Sequence, residues 1–152
     1  MLPIRTIVCP IDFSEPSEKG LGAAVELAVS FSAELVLIHV VAPMPAMPGA
    51  ATPMGFHIPG VLQGMKEAAQ KGLEKMSQSI KKQGTPIRTA VIEGNPAHEI
   101  VRFPEHKEGV MIVMATHGLS GWSRLLFGSV TDKVVRSARC PVLTIPEPVE
   151  ES

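Results

Sequence analysis

The sequence predicts a three-layer α/β domain in which helices cover both faces of a five-stranded parallel sheet. Short apolar segments alternate along the chain with longer segments in which apolar residues recur at helical spacing. The segment 35–41 is apolar at all positions but one, as expected for a strand covered on both faces. Strands that alternate with helices pair in parallel through right-handed crossovers. For five such strands, the natural packing is the doubly wound order 3-2-1-4-5.

The first strand and the first helix are predicted from the residues near the N-terminus. Ile4, Ile7 and Val8 lie in a short apolar run that Pro10 ends, which is typical of a buried strand. Ser14 has the hydroxyl of a helix N-cap, and Pro16 suits the first helical turn. Apolar residues then recur at helical spacing as far as Phe31, so we expect an amphipathic helix there.

The centre of the chain predicts a long loop followed by a helix. Residues 43–60 hold five of the fourteen prolines, with three glycines and three methionines, so we expect a mobile segment and a candidate lid. Residues 61–80 carry apolar side chains on one helical face, and Gly84 is a suitable stop. The remaining predicted elements are strands at 87–92, 110–114 and 141–145, and helices that Asn95 and Ser129 cap.

Composition and charge narrow the functional classes. The 152 residues suit a single domain, 1–152, and a hydrophobic fraction of 45% is that of a folded chain. A formal net charge of -1 argues against nucleic-acid binding, which needs a basic face. No apolar run approaches the ~20 residues that cross a bilayer, and the N-terminus lacks the pattern of a signal peptide. Cys9 and Cys140 are interpreted as buried thiols, so we expect a cytoplasmic protein without a membrane partner.

The predicted strand order places a ligand site at one edge of the sheet. The order reverses between the first and fourth strands, and ligands bind in the crevice at the carboxyl ends of such strands. Segments 10–12 and 115–118 follow these two strands. A glycine-bearing loop then leads to Gly128 and Ser129, where a helix N-terminus offers amides to an anion such as phosphate. The same glycines are equally compatible with a turn and a helix cap that bind nothing.

Three polar residues near this edge leave alternatives open. Asp12 follows the first strand, where it either accepts hydrogen bonds from a ligand or caps a turn. His117 either supports a phosphate-binding loop or makes a structural hydrogen bond. His39 lies within a buried strand and is interpreted as a core histidine whose hydrogen bonds are satisfied inside the protein.

Three segments together resemble the universal stress protein family. The sequence Ala-Thr-His-Gly at 115–118, nine further residues and then Gly128-Ser129 is similar to the nucleotide motif of that family. The motif is Gly, two residues, Gly, nine residues, Gly and then Ser or Thr. Segments 7–14 and 140–145 resemble the first strand with its turn and the last strand. The resemblance covers nearly the whole chain and implies an adenine nucleotide alpha hydrolase-like, or flavodoxin-like, fold.

The resemblance also implies that the chain binds ATP, with Mg²⁺ or Mn²⁺ bound through the phosphates, as a stress-response regulator or nucleotide-dependent switch. In the ATP-binding branch of the family, adenosine contacts the ends of the first two strands, and the phosphates lie on the glycine loop. By position, the implied ligand residues are Pro10, Ile11, Asp12, Val40, Met114, Ala115, His117, Gly118, Gly128, Ser129, Val130 and Thr131. Ala115 replaces the first glycine of the motif, which weakens binding if that position needs a left-handed backbone.

Two other functions remain open, namely a slow ATPase and a dimeric interaction module that binds no nucleotide. No obvious general base accompanies the glycine loop, so we expect hydrolysis to be slow, absent or dependent on a partner. We expect a homodimer through the last strand, Val142 to Ile145, because an apolar sheet edge needs covering. The family resemblance implies the same, since its members commonly pair through this strand.

Overall fold

The computed structural model describes residues 2–43, 59–81, 84–116 and 128–146. The predicted loop at 43–60 lies outside these residues except for its two ends. The glycine-bearing loop lies outside them as well, together with two predicted ligand residues, His117 and Gly118.

Strands and helices alternate strictly along the described residues, as the sequence predicts. Their bounds are β1 Thr6–Pro10, α1 Glu15–Phe31, β2 Glu34–Val41, α2 Pro59–Lys81, β3 Ile87–Glu93, α3 Pro96–Arg102, β4 Val110–Ala115, α4 Ser129–Ser137 and β5 Val142–Ile145. Gly84 follows α2 with a left-handed φ of 83° and donates its N–H to Lys81 O at 3.0 Å, so it serves as the predicted stop.

The five strands pair in parallel in the order β3-β2-β1-β4-β5. Val8 of the central strand lies opposite Val36 of β2 and Ile112 of β4. The predicted fold class and the predicted strand order are therefore confirmed. The reversal of the order falls between β1 and β4, so a crevice is expected at their carboxyl ends.

Two apolar clusters fill the space between the sheet and its helices. On one face, Leu37 and Val113 pack with Ala24 of α1 and Leu73 of α2. On the other face the cluster joins strand residues to α3 and α4, and its members include Val36, Ile112, Ile100 and Val134. Successive strand residues alternate between the clusters, which is why the strands are apolar throughout rather than at every second position.

The starts of α1 and α3 follow the predicted capping chemistry. Ser14 has an extended backbone, and its hydroxyl accepts a hydrogen bond from Ser17 N at 3.3 Å. Asn95 caps α3 in the same way and accepts from His98 N at 3.3 Å. Each side chain supplies a partner to one of the N–H groups that a helix start leaves unpaired.

The predicted cap of α4 is wrong by one residue. Gly128 is the N-cap, with φ -66° and ψ 159°, and Ser129 is already the first helical residue. A tertiary hydrogen bond from Gly128 N to Thr116 O, 2.6 Å long, holds the glycine in extended conformation and so fixes where the helix begins. No side-chain hydrogen bond caps α4 among the described residues, so its first N–H groups remain available to a ligand.

The two cysteines differ in burial, whereas the sequence predicts that both are buried. Cys9 lies in β1 without solvent exposure, and this burial raises the pKa of its thiol to about 12. Cys140 precedes the edge strand β5 and is only half-buried, with a thiol pKa that desolvation raises. Both thiols are free. Within the described ranges, no helix is both long and apolar enough to span a membrane.

Candidate functional site

A pocket of about 290 Å³ opens at the carboxyl ends of β1 and β4. All predicted ligand residues that the structure describes lie around it, namely Pro10, Ile11, Asp12, Val40, Met114, Ala115, Gly128, Ser129, Val130 and Thr131. The structure therefore brings together residues that are more than one hundred positions apart in the sequence. Their part in binding a ligand remains a prediction.

The turn after β1 forms the first wall of the pocket. Ile11 extends the strand by donating its N–H to Ile38 O at 2.8 Å. Asp12 Oδ1 then accepts from Ser14 N at 3.0 Å and from the Ser14 hydroxyl, and Ser14 caps α1. Asp12 thus caps a turn, which was one of the two predicted roles, and it also lines the pocket. Capping holds the carboxylate in place at the pocket wall.

His39 also lines this wall, which the sequence did not reveal. Its Nδ1 lies 2.7 Å from Ile11 O, so the predicted internal hydrogen bond is present. The residue is only half-buried, however, because β2 ends two positions later. The imidazole ring also contacts the ring of Phe13, with 4.8 Å between the ring centroids.

The end of β4 and the start of α4 form the opposite wall. The Thr131 hydroxyl is buried and donates to Ala115 O at 3.0 Å, which ties the first helical turn to the strand. The single proton of this hydroxyl is therefore used inside the protein. What this wall offers to a ligand is the set of N–H groups in the first turn of α4, on Ser129, Val130 and Thr131.

Ala115 fits its position without backbone strain. It lies in β4, pairs with Ile145 and is not among the described residues with a left-handed φ. The replacement of the motif's first glycine therefore adds a methyl group without straining the backbone. Gly20 of α1 packs against this strand end, and a Cβ at Gly20 would lie 3.1 Å from Ala115 N. A glycine in α1 thus allows the helix to approach β4 closely.

A third wall comes from α3 and was not predicted. Pro96 and Ile100 line the pocket, and Ser17 and Ile38 complete its lining. A signal for α3 was available, because a helix that follows a parallel strand starts at the carboxyl edge of the sheet. The seven-residue helix Pro96–Arg102 begins there, directly after β3.

The pocket is mostly apolar and has a distinct polar side. Among its described lining residues, Asp12 is the only Asp, Glu, Lys or Arg. The positive end of the α4 dipole lies on the opposite wall. No group of three or more His, Cys, Asp or Glu side chains suited to a metal ion occurs in the part of the chain that the structure describes.

Curated proteins with similar sequences share one description. Universal stress protein MJ0531 of Methanocaldococcus jannaschii is 37% identical over 147 residues, which cover 97% of this chain and 85% of that protein. Universal stress protein YxiE of Bacillus subtilis is 33% identical over 139 residues, which cover 89% of this chain and 94% of that protein.

Solved structures show the same fold. Universal stress protein UspA from Lactobacillus plantarum superposes with a TM-score of 0.81 at 23% identity, covering 95% of this chain and 99% of that one. More distant neighbours include a universal stress protein in complex with cAMP, at TM-score 0.68 and 21% identity over 93% and 96% of the two chains. A universal stress protein family protein from Arabidopsis thaliana with AMP bound superposes with a TM-score of 0.61 at 17% identity, covering 97% of this chain and 94% of that one.

The family model described as "Universal stress protein family" matches residues 3–146, which is nearly the whole chain. Because both the family model and the curated relatives agree, the chain belongs to the universal stress protein family.

Proposed function

We propose that this chain binds an adenine nucleotide, ATP in the first instance, in the pocket between β1 and β4, and that it acts as a nucleotide-dependent stress-response regulator. One observation carries the proposal: an uncapped helix N-terminus and a turn-held carboxylate face the same largely apolar pocket. A nucleotide has an apolar base, a sugar with hydroxyl donors and an anionic phosphate chain, so it offers a partner to each of these features.

The walls suit the three parts of a nucleotide. Ile38, Val40, Ile100 and Met114 supply apolar surface for a base. Asp12 can accept hydrogen bonds from the ribose hydroxyls. The N–H groups at the start of α4 suit the phosphates, because they donate hydrogen bonds and the helix dipole favours negative charge. A volume of about 290 Å³ lies at the small end of ligand pockets, so the terminal phosphates would extend toward solvent.

A divalent cation fits this proposal as a companion of the phosphates. Magnesium in nucleotide sites keeps several waters and is held largely by phosphate oxygens. Asp12 is the only carboxylate among the described lining residues, and it lies in the wall opposite α4. Phosphate oxygens, rather than a cage of side chains, are therefore the proposed ligands of Mg²⁺ or Mn²⁺.

The comparisons support an adenine ligand in this family. Three solved neighbours are complexes with cAMP, AMP and dAMP, respectively. Among adenine nucleotides, we propose ATP as the ligand of this chain. The free thiols of Cys9 and Cys140 suit a reducing compartment, which supports a cytoplasmic location.

Titration calorimetry of the purified chain with ATP and Mg²⁺ tests the proposal. We expect a dissociation constant in the micromolar range, on the order of -8 kcal/mol. Gly128→Val places a branched side chain at the N-cap, beside the phosphate position, and should abolish binding while the fold persists. Gly22→Val is the matched control, because Gly22 faces open space in α1. Wild-type protein that binds no adenine nucleotide would overturn the proposal, as would unchanged affinity in Gly128→Val.

Hydrolysis by the isolated chain should be slow or absent. Asp12 is the only side chain among the described lining residues that could act as a carboxylate base, and it faces the predicted sugar rather than the phosphates. Phosphate release followed over hours should remain far below the common enzyme median of about 10 per second. Turnover near that median would contradict a purely regulatory binder.

We further propose a homodimer through β5. Ile112 N donates to Pro141 O and Thr116 N to Ile145 O, so the odd-numbered residues of β5 face β4, and the N–H of Val142 points away from the sheet. Leu143 is 39% exposed, which makes this edge apolar as well as unpaired within the described residues. An antiparallel match with the same strand of a second copy would cover both edges.

Sedimentation at micromolar concentration tests the dimer. Val142→Pro removes the outward N–H without touching the ladder to β4, so it should weaken association while the fold is retained. A monomeric mass for the unmodified chain would exclude this assembly.

A further inference from the structure

The turn that carries Asp12 is held by contacts from outside the pocket. Phe13, the next residue, has a left-handed backbone with φ 62°, which is uncommon for a bulky residue. Such a conformation persists only when its surroundings hold it, and it occurs preferentially at functional sites. The contacts that hold Phe13 therefore bear directly on where Asp12 lies.

His39 holds the residue on the other side of Asp12. A carbonyl oxygen can only accept a hydrogen bond, so at 2.7 Å from Ile11 O the Nδ1 atom of His39 carries a proton and donates it. The same imidazole ring packs against Phe13 with ring centroids 4.8 Å apart and planes inclined by 40°. One side chain of β2 thus contacts the residues directly before and directly after Asp12.

Gly72 extends this set of contacts into α2. A Cβ at Gly72 would lie 2.7 Å from Phe13 Cε1 and 2.9 Å from Cζ, distances at which something must shift. The Phe13 ring therefore occupies space that only a glycine leaves open on this face of the helix. Gly72 itself does not line the pocket, so its influence on a ligand would pass through Phe13 and His39.

We propose that His39 is a positioning residue for nucleotide recognition. Together with the Phe13 ring, for which Gly72 leaves space, it fixes the turn that carries Asp12. The position of Asp12 in turn sets the preference for ligands with ribose hydroxyls. The inference rests on the proposed nucleotide site and adds a residue to it that acts through Asp12. It also assigns a role in affinity to a glycine of α2 outside the pocket.

Nucleotides with and without ribose hydroxyls separate positioning from general loosening. In His39→Leu the donor to Ile11 O is lost, so calorimetry should show ATP affinity lower by about tenfold, the scale of one hydrogen bond. Binding of 2′,3′-dideoxyATP, which has no hydroxyls for Asp12, should change less than twofold. His39→Asn keeps an N–H donor near the position of Nδ1 and should restore most of the ATP affinity. An equal loss for both nucleotides, or no rescue by asparagine, would overturn the proposal.

A matched pair of glycine variants in α2 tests the proposed influence of Gly72 on nucleotide affinity. Gly72→Ala should displace the Phe13 ring and lower ATP affinity more than dideoxyATP affinity. Gly64→Ala lies in the same helix but faces open space, so both affinities should stay unchanged. Equal behaviour of the two variants would exclude Gly72 from the proposed set.

Nuclear magnetic resonance of the nucleotide-free protein gives a readout that needs no ligand. Scalar couplings of Phe13 report its φ, which should move from the left-handed value in His39→Leu and Gly72→Ala but not in Gly64→Ala. An unchanged φ in the first two variants would refute the positioning role by itself. A different result would instead refute the proposed function: the φ of Phe13 changes as predicted in the two variants, but the unmodified chain binds no ATP.

Discussion

The two walls of the pocket differ in the polarity that they present. The β1–β2 wall offers an acceptor, the Asp12 carboxylate, whereas the β4–α4 wall offers donors, the N–H groups of the first turn of α4. Each wall is held by a hydrogen bond made inside the protein, from His39 Nδ1 to Ile11 O and from the Thr131 hydroxyl to Ala115 O. Under the proposed function, this difference predicts that a ligand with hydroxyl donors at one end and anionic oxygens at the other binds in one direction only.

Of the variants that test this comparison, Ser129→Pro, in the β4–α4 wall that offers donors, is expected to have the largest effect. Proline suits the first helical position, and the extended Gly128 before it is compatible with proline, so α4 should persist. The change removes one N–H donor, and a hydrogen bond to a charged group contributes about 1.5–3 kcal/mol. ATP affinity should fall about tenfold to a hundredfold by calorimetry, whereas adenosine affinity should not change.

Ser129→Ala is the control for this prediction, because it removes the hydroxyl and keeps the N–H group. It should lower ATP affinity much less than the proline variant does. Equal losses in the two variants, or a loss of adenosine binding in Ser129→Pro, would show that the backbone donor is not what this wall contributes.

A smaller effect is expected from Asp12→Asn, in the β1–β2 wall that offers the acceptor. Here the loss should depend on the ribose hydroxyls of the ligand rather than on its phosphates. The amide oxygen can still accept from Ser14 N, so the turn should be retained. Replacing a charged acceptor by a neutral one costs about 1 kcal/mol, or about fivefold in affinity for ATP and adenosine. Removal of a negative charge should leave dideoxyATP binding equal or slightly tighter. Weakened dideoxyATP binding would contradict the assignment of Asp12 to the sugar.

The smallest effect concerns the packing of α1 against β4, the strand that forms part of the β4–α4 wall. Two glycines of α1 can be compared there. Gly20→Ala places a Cβ 3.1 Å from Ala115 N, on the backbone of β4, so crowding should outweigh the gain in helix propensity and lower stability by about 1 kcal/mol. Gly22→Ala meets nothing within 4 Å and should raise stability by about 0.5–1 kcal/mol. Urea denaturation measures both. Stabilisation by both alanines would show that the approach of α1 to β4 is not tight.

Much of the fold and the location of the pocket could be predicted because they depend on local patterns. Apolar strand segments such as 35–41 alternate with helices, and the parallel order then places the crevice between β1 and β4. The capping roles of Ser14 and Asn95 were predictable for the same reason, since each contacts a residue three positions away.

What the sequence did not predict depends on contacts between distant segments. The start of α4 is set by the Gly128–Thr116 hydrogen bond, and the Thr131 hydroxyl is taken up by Ala115 O. His39 was expected in the core, but its contacts with Ile11 and Phe13 place it on the pocket wall. Side-chain periodicity gives no information about such pairs, because it describes only neighbours along one element.

The lining of the pocket comes from β1, α1, β2, α3, β4 and α4, so its residues come from both ends of the chain. A partly folded chain cannot assemble it, and a nucleotide held there therefore adds its binding free energy to the folding equilibrium of the whole sheet. At one hundred times the dissociation constant this linkage is worth about 2.7 kcal/mol, against a typical domain stability of about 5–15 kcal/mol. Under the proposed function, the resistance of this protein to proteolysis would then rise with the concentration of its nucleotide.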